Sequence, residues 1–562
     1  MVRWESKKLS DMLALVIILL SILALRILSE NHRFRWDLTE EKRFTLSPAT
    51  TKLLSGMNEE AYIEVYLEGD LPPPFLRLQR RIEETLSEFK ILSNHKIKYR
   101  FINPSEGGSE QSRNEYYQQL ANKGVKPSNI FASEQGRQVQ RLVFPGAILS
   151  YQGEEIPINF IRGNSMSNIE ETLNQAVEDV EFSIASALQL GDGTPKKRIG
   201  IVQGHGEWDS LDIAGLTAAL KDKYEVFRMR LSDRQKIQGF DALIIAGPKR
   251  RYTALDTYKL DQFVMGGGKL LFFLNSLVVN IDSATYENNL AYPVDLGLEE
   301  LLFKYGTRIN KNYIQDVNSG FHPLVTGNVG DQSDIRILPW PFYPVVTQFG
   351  DHPSTRNLDA VWMRFTSNID TVKADGLRKL PLLLSSPYTR IIAAPAPVRF
   401  EDVRELKPED FASGRQNLAY LVEGNFQSLY QNRFLPNGAD STDFRLSSPE
   451  TQILVVADGD FVRNEKSLRT GQALPLGFDP YGQQQLANEE LVLNVLAYML
   501  DEEGLIFSRN KTFRIRPLDR LKIENERSYY QALNLVLPVL LVAVFGLIWQ
   551  IIYRRRNRWK RK

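Results

Sequence analysis

Three short segments of this 562-residue chain place side chains where chemistry could occur. Gly204-His205-Gly206-Glu207 follows the apolar run Arg198–Gln203, and open α/β sheets bind ligands at the carboxyl ends of such strands. His205-x-Glu207 has the spacing that zinc deaminases use for a metal ligand and a proton-transferring glutamate. That site also needs cysteine ligands, and this chain has no cysteine. Asp458-Gly459-Asp460 follows a second apolar run, Gln452–Ala457, and offers a hard cation two carboxylates, fewer ligands than such ions take. Trp340, within Leu338–Pro344, could stack on a sugar or contact a partner. The bland readings are preferred: a structural turn, a polar strand end and a rigid, part-buried loop. His205, Glu207, Asp458, Asp460 and Trp340 stand as ligand or partner contacts, and no residue is assigned a catalytic, cofactor-binding or metal-ligating role.

Other motifs fall short on their own terms. Gly266-Gly267-Gly268-Lys269 lacks the Ser or Thr of a phosphate loop, with Leu270 in that place, and precedes a strand rather than a helix. It reads as a helix cap. Gly163-Asn164-Ser165-Met166-Ser167 lacks the second glycine of a nucleophile elbow, and Ser167 or Asn168 reads better as a helix N-cap. The lack of cysteine excludes disulfides, iron–sulfur clusters and thiolate sites, and the five histidines show no metal-pair spacing. No cofactor is expected.

The elements around these segments read as α/β. Ser47-Pro48 starts a helix, since serine caps and proline suits the first turn. Strands at Tyr62–Leu67 and Lys96–Phe101, helices at Pro74–Leu92 and Glu110–Asn122, a hairpin of Val139–Ser150 with Glu155–Ile161, and a long helix at Asn168–Leu190 follow. This order predicts a thioredoxin-like or related α/β unit without redox chemistry. Strands at Arg198–Gln203, Glu225–Met229, Ala242–Ala246 and Lys269–Leu274 alternate with helices at Ile213–Lys221 and Thr257–Met265, which predicts a doubly wound parallel sheet. Residues 310–500 are rich in proline and aromatics and resist parsing, apart from a strand at Gln452–Ala457 and a helix at Glu489–Leu500.

Both ends are apolar. Leu9–Leu28 and Ala532–Ile552 are each long enough to cross a bilayer, about 20 residues spanning about 30 Å. Seven cations between Arg554 and Lys562 place the C-terminus in the cytoplasm, and two spans then put the N-terminus there too, in keeping with Arg3, Lys7 and Lys8. The total net charge of +1 leaves about −8 for the region between the ends, a poor surface for nucleic acid. The expected organisation is a cytoplasmic N-terminus at 1–8, a transmembrane helix at 9–28 and an α/β ectodomain at 29–190. A doubly wound domain at 191–309, a further ectodomain part at 310–511 and a juxtamembrane lead-in at 512–531 follow. A second transmembrane helix at 532–552 and a basic cytoplasmic tail at 553–562 close the chain.

Several segments in order resemble the gliding-motility ABC-transporter accessory proteins of Bacteroidota, the GldG family. They are Phe34–Leu54, the 198–276 region with Gly204–Glu207 and Asp241–Pro248, Asn417–Leu429, Ile453–Asn464 and Asn488–Leu518. The lead-in around Asp37-Leu38-Thr39 is shared more widely among ABC-transporter auxiliary proteins. The resemblance implies a complex with a multi-span permease and a separate cytoplasmic ATPase, to which a pair of copies around a dimeric transporter would fit. It also implies a glutamine-amidotransferase-like sheet, but Leu274-Asn275-Ser276 stands where those enzymes carry their cysteine elbow, so no activity carries over. The expectation is a non-enzymatic accessory subunit in the cell inner membrane with a periplasmic ectodomain. The rival is a membrane-anchored periplasmic hydrolase or glycan-binding protein using His205, Glu207 or Asp458.

Overall fold

The structure, a computed structural model, describes residues 16–17, 19–21 and 45–559, apart from 107–108, 135–136, 162–168, 280–289, 330–331, 400–405, 468, 502 and 511–525. Two compact units divide the chain, Met1–Lys511 and Thr512–Lys562. The fold is mixed α/β with several sheets.

In the first unit, Ser47 accepts the Thr50 N–H at 3.1 Å, and the helix Pro48–Gly56 starts there as the Ser-Pro pair predicts. A four-stranded sheet follows, built from Ala61–Val65, Ile97–Phe101, Gly146–Tyr151 and Glu154–Asn159. The first two strands are parallel across the helix Pro73–Leu92, and the last two form an antiparallel hairpin around Gln152-Gly153, both at positive φ. Val139–Ser150 is not one strand. Pro145 cannot donate to a ladder, and the chain breaks there: Arg137–Val143 pairs instead with Ser128–Glu134, a strand the sequence reading lacked. One face of the sheet is covered by Pro73–Leu92 and Ile169–Gly191, through Leu78, Ile82, Leu86, Val180 and Ile184.

The second sheet has eight strands. Five are mutually parallel, in the spatial order Glu225–Arg230, Arg198–Gln203, Ala242–Ala246, Lys269–Phe273 and Ser447–Val456. Counted along the chain, that order is 2-1-3-4-5. Asn417–Gln427, Leu377–Leu384 and Gln348–Phe349 extend it antiparallel. The sheet therefore draws strands from both sides of residue 310. Ile244, Leu271, Phe273, Leu454 and Val456 face one core with the helices Ala214–Lys221 and Asn488–Leu500. Leu243, Ile245, Leu270, Phe272 and Val455 face another with Ala254–Met265. Both faces are buried, so these strands are near-continuous apolar runs rather than alternating ones.

The unit closes on Leu505–Asn510, whose Arg509 is buried. Its guanidinium meets both carboxylate oxygens of Asp179, at 3.3 and 2.9 Å, and donates to the Arg356 carbonyl at 3.0 Å. Glu490 lies 3.6 Å away.

The second unit contains the helix Arg527–Trp559. Its segment Arg527–Ile552 is long and apolar enough to cross a membrane by length and composition, and Leu535, Val539, Val542, Phe545 and Trp549 are all exposed. The expected first span, 9–28, lies outside the described residues except for five helical positions, and the Gly163–Ser167 segment lies wholly outside them.

Candidate functional site

The loops after four parallel strands meet at the carboxyl end of the large sheet, and two of the expected segments meet there with them. Gly204 and Gly206 take positive φ, which lets the chain turn sharply after Arg198–Gln203 and bring His205 back over Tyr252. The two rings stack at 3.7 Å with an interplanar angle of 13°. His205 Nε2 lies 3.2 Å from Asp256 Oδ2, and Nδ1 lies 3.5 Å from Glu207 Oε1. Glu207 in turn accepts the Tyr252 hydroxyl at 2.7 Å and the His205 N–H at 2.7 Å. Thr253 caps the helix Ala254–Met265, accepting the Asp256 N–H at 3.1 Å, while its hydroxyl donates to Asp256 Oδ2 at 2.6 Å.

These contacts fix the charge states. Burial works against the His205 cation, but the hydrogen bond to Asp256 and the charges of Asp256 and the nearby Glu207 outweigh it and raise its pKa to about 9. Burial would likewise raise both carboxylates, yet the His205 contacts, with Tyr252 for Glu207 and Thr253 for Asp256, hold each below its ordinary value. Burial, then the Glu207 charge, keeps the Tyr252 phenol protonated. At neutral pH His205 is thus an imidazolium held between two carboxylates. A general base needs a free lone pair near the working pH, and this ring offers none.

The adjoining crevice is filled. Trp208 donates its indole N–H to the Gly459 carbonyl at 2.7 Å and lies over Gly247, where any Cβ would fall 2.2 Å from the indole nitrogen. Lys249 and Arg250 donate backbone N–H groups to the His205 carbonyl at 2.9 and 2.8 Å. The gap between the loops after Arg198–Gln203 and Ala242–Ala246 is where the chain order of the parallel strands reverses, the usual ligand position in such sheets. Here the protein's own tryptophan and main chain occupy it.

Asp458 and Asp460 stand beside this closure. Asp458 is buried, and its oxygens accept the Asp460 and Arg364 N–H groups, both at 2.7 Å. Burial, reinforced by the neighbouring Asp460 charge, pushes Asp458 far above the usual carboxylate range. Asp460 bonds Asn275 at 2.9 Å and Arg463 at 3.3 Å. The pair thus staples the loop of residues 457–464 to its neighbours. Trp340 lies elsewhere, in the strand Gln332–Val346 rather than a loop. It is fully buried against Phe342, with ring centroids 4.7 Å apart, and presents no face to a ligand. Tyr252, Asp256 and Trp208 were not singled out in the sequence; the Thr253-x-x-Asp256 capping box was the available signal for Asp256.

A second concavity, away from these residues, is open. A groove of about 870 Å³ runs between the helix Glu299–Lys304 with the following residues 308–311 and the loop 428–433.

The large sheet with helices on both faces, its carboxyl end closed by Trp208 and the loops around it, defines the molecule as a mixed α/β protein. The chain belongs to the ABC transporter auxiliary family described as "ABC-type uncharacterized transport system", which matches residues 196–495. Residues 40–150 match a domain of unknown function, DUF7088. A Borreliella burgdorferi protein described as "Uncharacterized protein" is 22% identical over 412 residues, covering 72% of this chain and 75% of its own. Among solved structures, the mmIFT52 N-terminal domain is similar at 12% identity and a TM-score of 0.29, covering 54% of this chain and 97% of that one. A ThuA-like protein from Parabacteroides merdae is similar at 11% identity and a TM-score of 0.27, covering 54% and 90%.

Proposed function

We propose that this chain is a non-enzymatic accessory subunit of an ABC transport system of the gliding-motility, GldG type. In this reading two helices anchor it in the inner membrane beside a multi-span permease served by a separate cytoplasmic ATPase. Both termini are cytoplasmic, and the α/β unit is periplasmic. The observation that carries the non-enzymatic part is the filled crevice, with His205 held as a cation by Glu207 and Asp256 and Trp208 seated over Gly247. Family membership supports the transport role. The apolar helix Arg527–Ile552, followed by the cations from Arg554 onward, supports the anchor and its sidedness. The 2-1-3-4 order of the small sheet supports a thioredoxin-like unit, and the parallel order of the large one supports the amidotransferase-like relation.

Affinity purification of the tagged full-length chain from detergent-solubilised membranes tests the assembly: permease and ATPase should co-purify, and repeated recovery of the chain alone would overturn it. Protease added to spheroplasts should cleave within residues 45–511. Glu207→Gln should leave the assembled complex working; loss of function with assembly intact would turn the case toward the hydrolase or glycan-binding alternative.

A further inference from the structure

We infer that the open groove at residues 299–311 and 428–433 is a docking site for an extended, acidic segment of a partner protein. This goes beyond the proposed function and does not depend on it.

The groove is built rather than incidental. Asp261, fully buried beneath it, accepts the Ser428 hydroxyl at 2.6 Å, the Leu429 N–H at 2.8 Å and the Tyr305 hydroxyl at 3.0 Å. Tyr305 follows directly on the helix Glu299–Lys304, so this one carboxylate ties both walls together and sets the width. Tyr430 reinforces the loop wall, donating its hydroxyl to the Ala254 carbonyl at 2.8 Å. The volume suits a ligand of several residues.

Its lining selects the occupant. Lys304, Arg308, Lys311 and Arg433 line the groove with Glu299 and Glu300, and Arg308 pairs with Asp370 at 2.7 Å, which leaves one cation in excess within a chain region that is acidic as a whole. Lys304 has no carboxylate partner among the described residues. Lys311 pairs with Glu299 at 3.0 Å, and Arg433 reaches across the groove to Glu300. Both pairs are solvent-exposed, so an entering carboxylate can replace Glu299 or Glu300 at small cost. Phe303, 53% exposed, lines the groove with Ile309 and Leu429, and Phe434, 100% exposed, follows the lining residue Arg433 directly in the chain. A fully exposed phenylalanine has no polar atom to satisfy and gains only by being covered. Cations flanking bare aromatic rings fit a segment that alternates acidic and apolar side chains, better than they fit a polyol or a free phosphate.

The test uses the full-length protein in nanodiscs and a dye-labelled peptide of alternating glutamate and leucine, read by fluorescence anisotropy. Saturable binding is expected, weakened about tenfold by Phe303→Ala, by Phe434→Ala and by the pair Lys304→Glu with Arg433→Glu. All four side chains lie at the surface, and circular dichroism of each variant checks that the fold is kept. The matching lysine–leucine peptide should not bind, and polygalacturonate should not compete. Absence of saturable binding, equal binding of the lysine–leucine peptide, insensitivity to all of these variants, or displacement by polygalacturonate would each overturn the inference.

Discussion

Two aspartates on one helix, Asp256 and Asp261 of Ala254–Met265, support two concave regions of the molecule in opposite ways. Five residues apart, they point about 140° from each other around the axis, so each serves a different side. Asp256 meets the His205 cation, which helps pull its carboxyl below the ordinary value despite burial. Asp261 meets only neutral donors, from Ser428, Leu429, Gln262 and Tyr305, and burial wins, raising its pKa. The first contact holds a crevice shut, and the second holds a groove open. Between these two carboxylates, the neighbouring cation is what separates the lowered one from the raised one.

That contrast can be broken most forcefully at His205. His205→Ala leaves Glu207 and Asp256 buried without their shared cation, and should cost about 3–5 kcal/mol in urea unfolding followed by tryptophan fluorescence. A smaller loss would mean that water already shields the two acids. The pH dependence comes next. The folded pKa of about 9 lies above the ordinary 6.5, so the His205 contribution is complete below pH 6.5 and disappears as pH rises through 9. Stability should fall by up to about 3 kcal/mol across that window, and His205→Ala should remove the slope.

Asp261→Ala orphans three buried donors and should cost about 2 kcal/mol, with faster amide exchange in the loop 428–433 than in the loop 204–208. Unchanged exchange there would separate Asp261 from groove width. Since burial raises its pKa, Asp261 contributes stability that is present below the ordinary carboxylate value and lost as pH rises through the raised one. The least effect is expected at the exposed Glu300–Arg433 pair: Arg433→Ala should change unfolding by less than about 1 kcal/mol.

The elements around the closed crevice were legible because both faces of the large sheet are covered. Ala242–Ala246 and Lys269–Phe273 are apolar at nearly every position, and the strand at Ala242–Ala246 has the predicted limits. The partnership of Lys269–Phe273 with Ser447–Val456 was not legible, since about 180 residues of sequence separate two strands that pair in register, and no local pattern encodes that distance. The break at Pro145 was missed because apolar residues continue through it. Within the site, His205 and Glu207 were visible as a pair, whereas Tyr252 arrives from another loop and Asp256 from the first turn of the helix that follows it. Trp340 misled for a related reason: prolines on both sides suggested a loop, yet Pro339 and Pro341 lie inside a strand of a small sheet. The groove left no motif, because its walls come from segments more than 100 residues apart and its character lies in exposed pairs.

The burial of Arg509 has a mechanical corollary. It grips Asp179 on the helix that covers the small sheet, the Arg356 carbonyl from a loop, and the vicinity of Glu490 on a helix covering the large sheet. Tension applied to the chain just beyond Asn510 would therefore be divided between the two layers at their seam, instead of unravelling the final turn first.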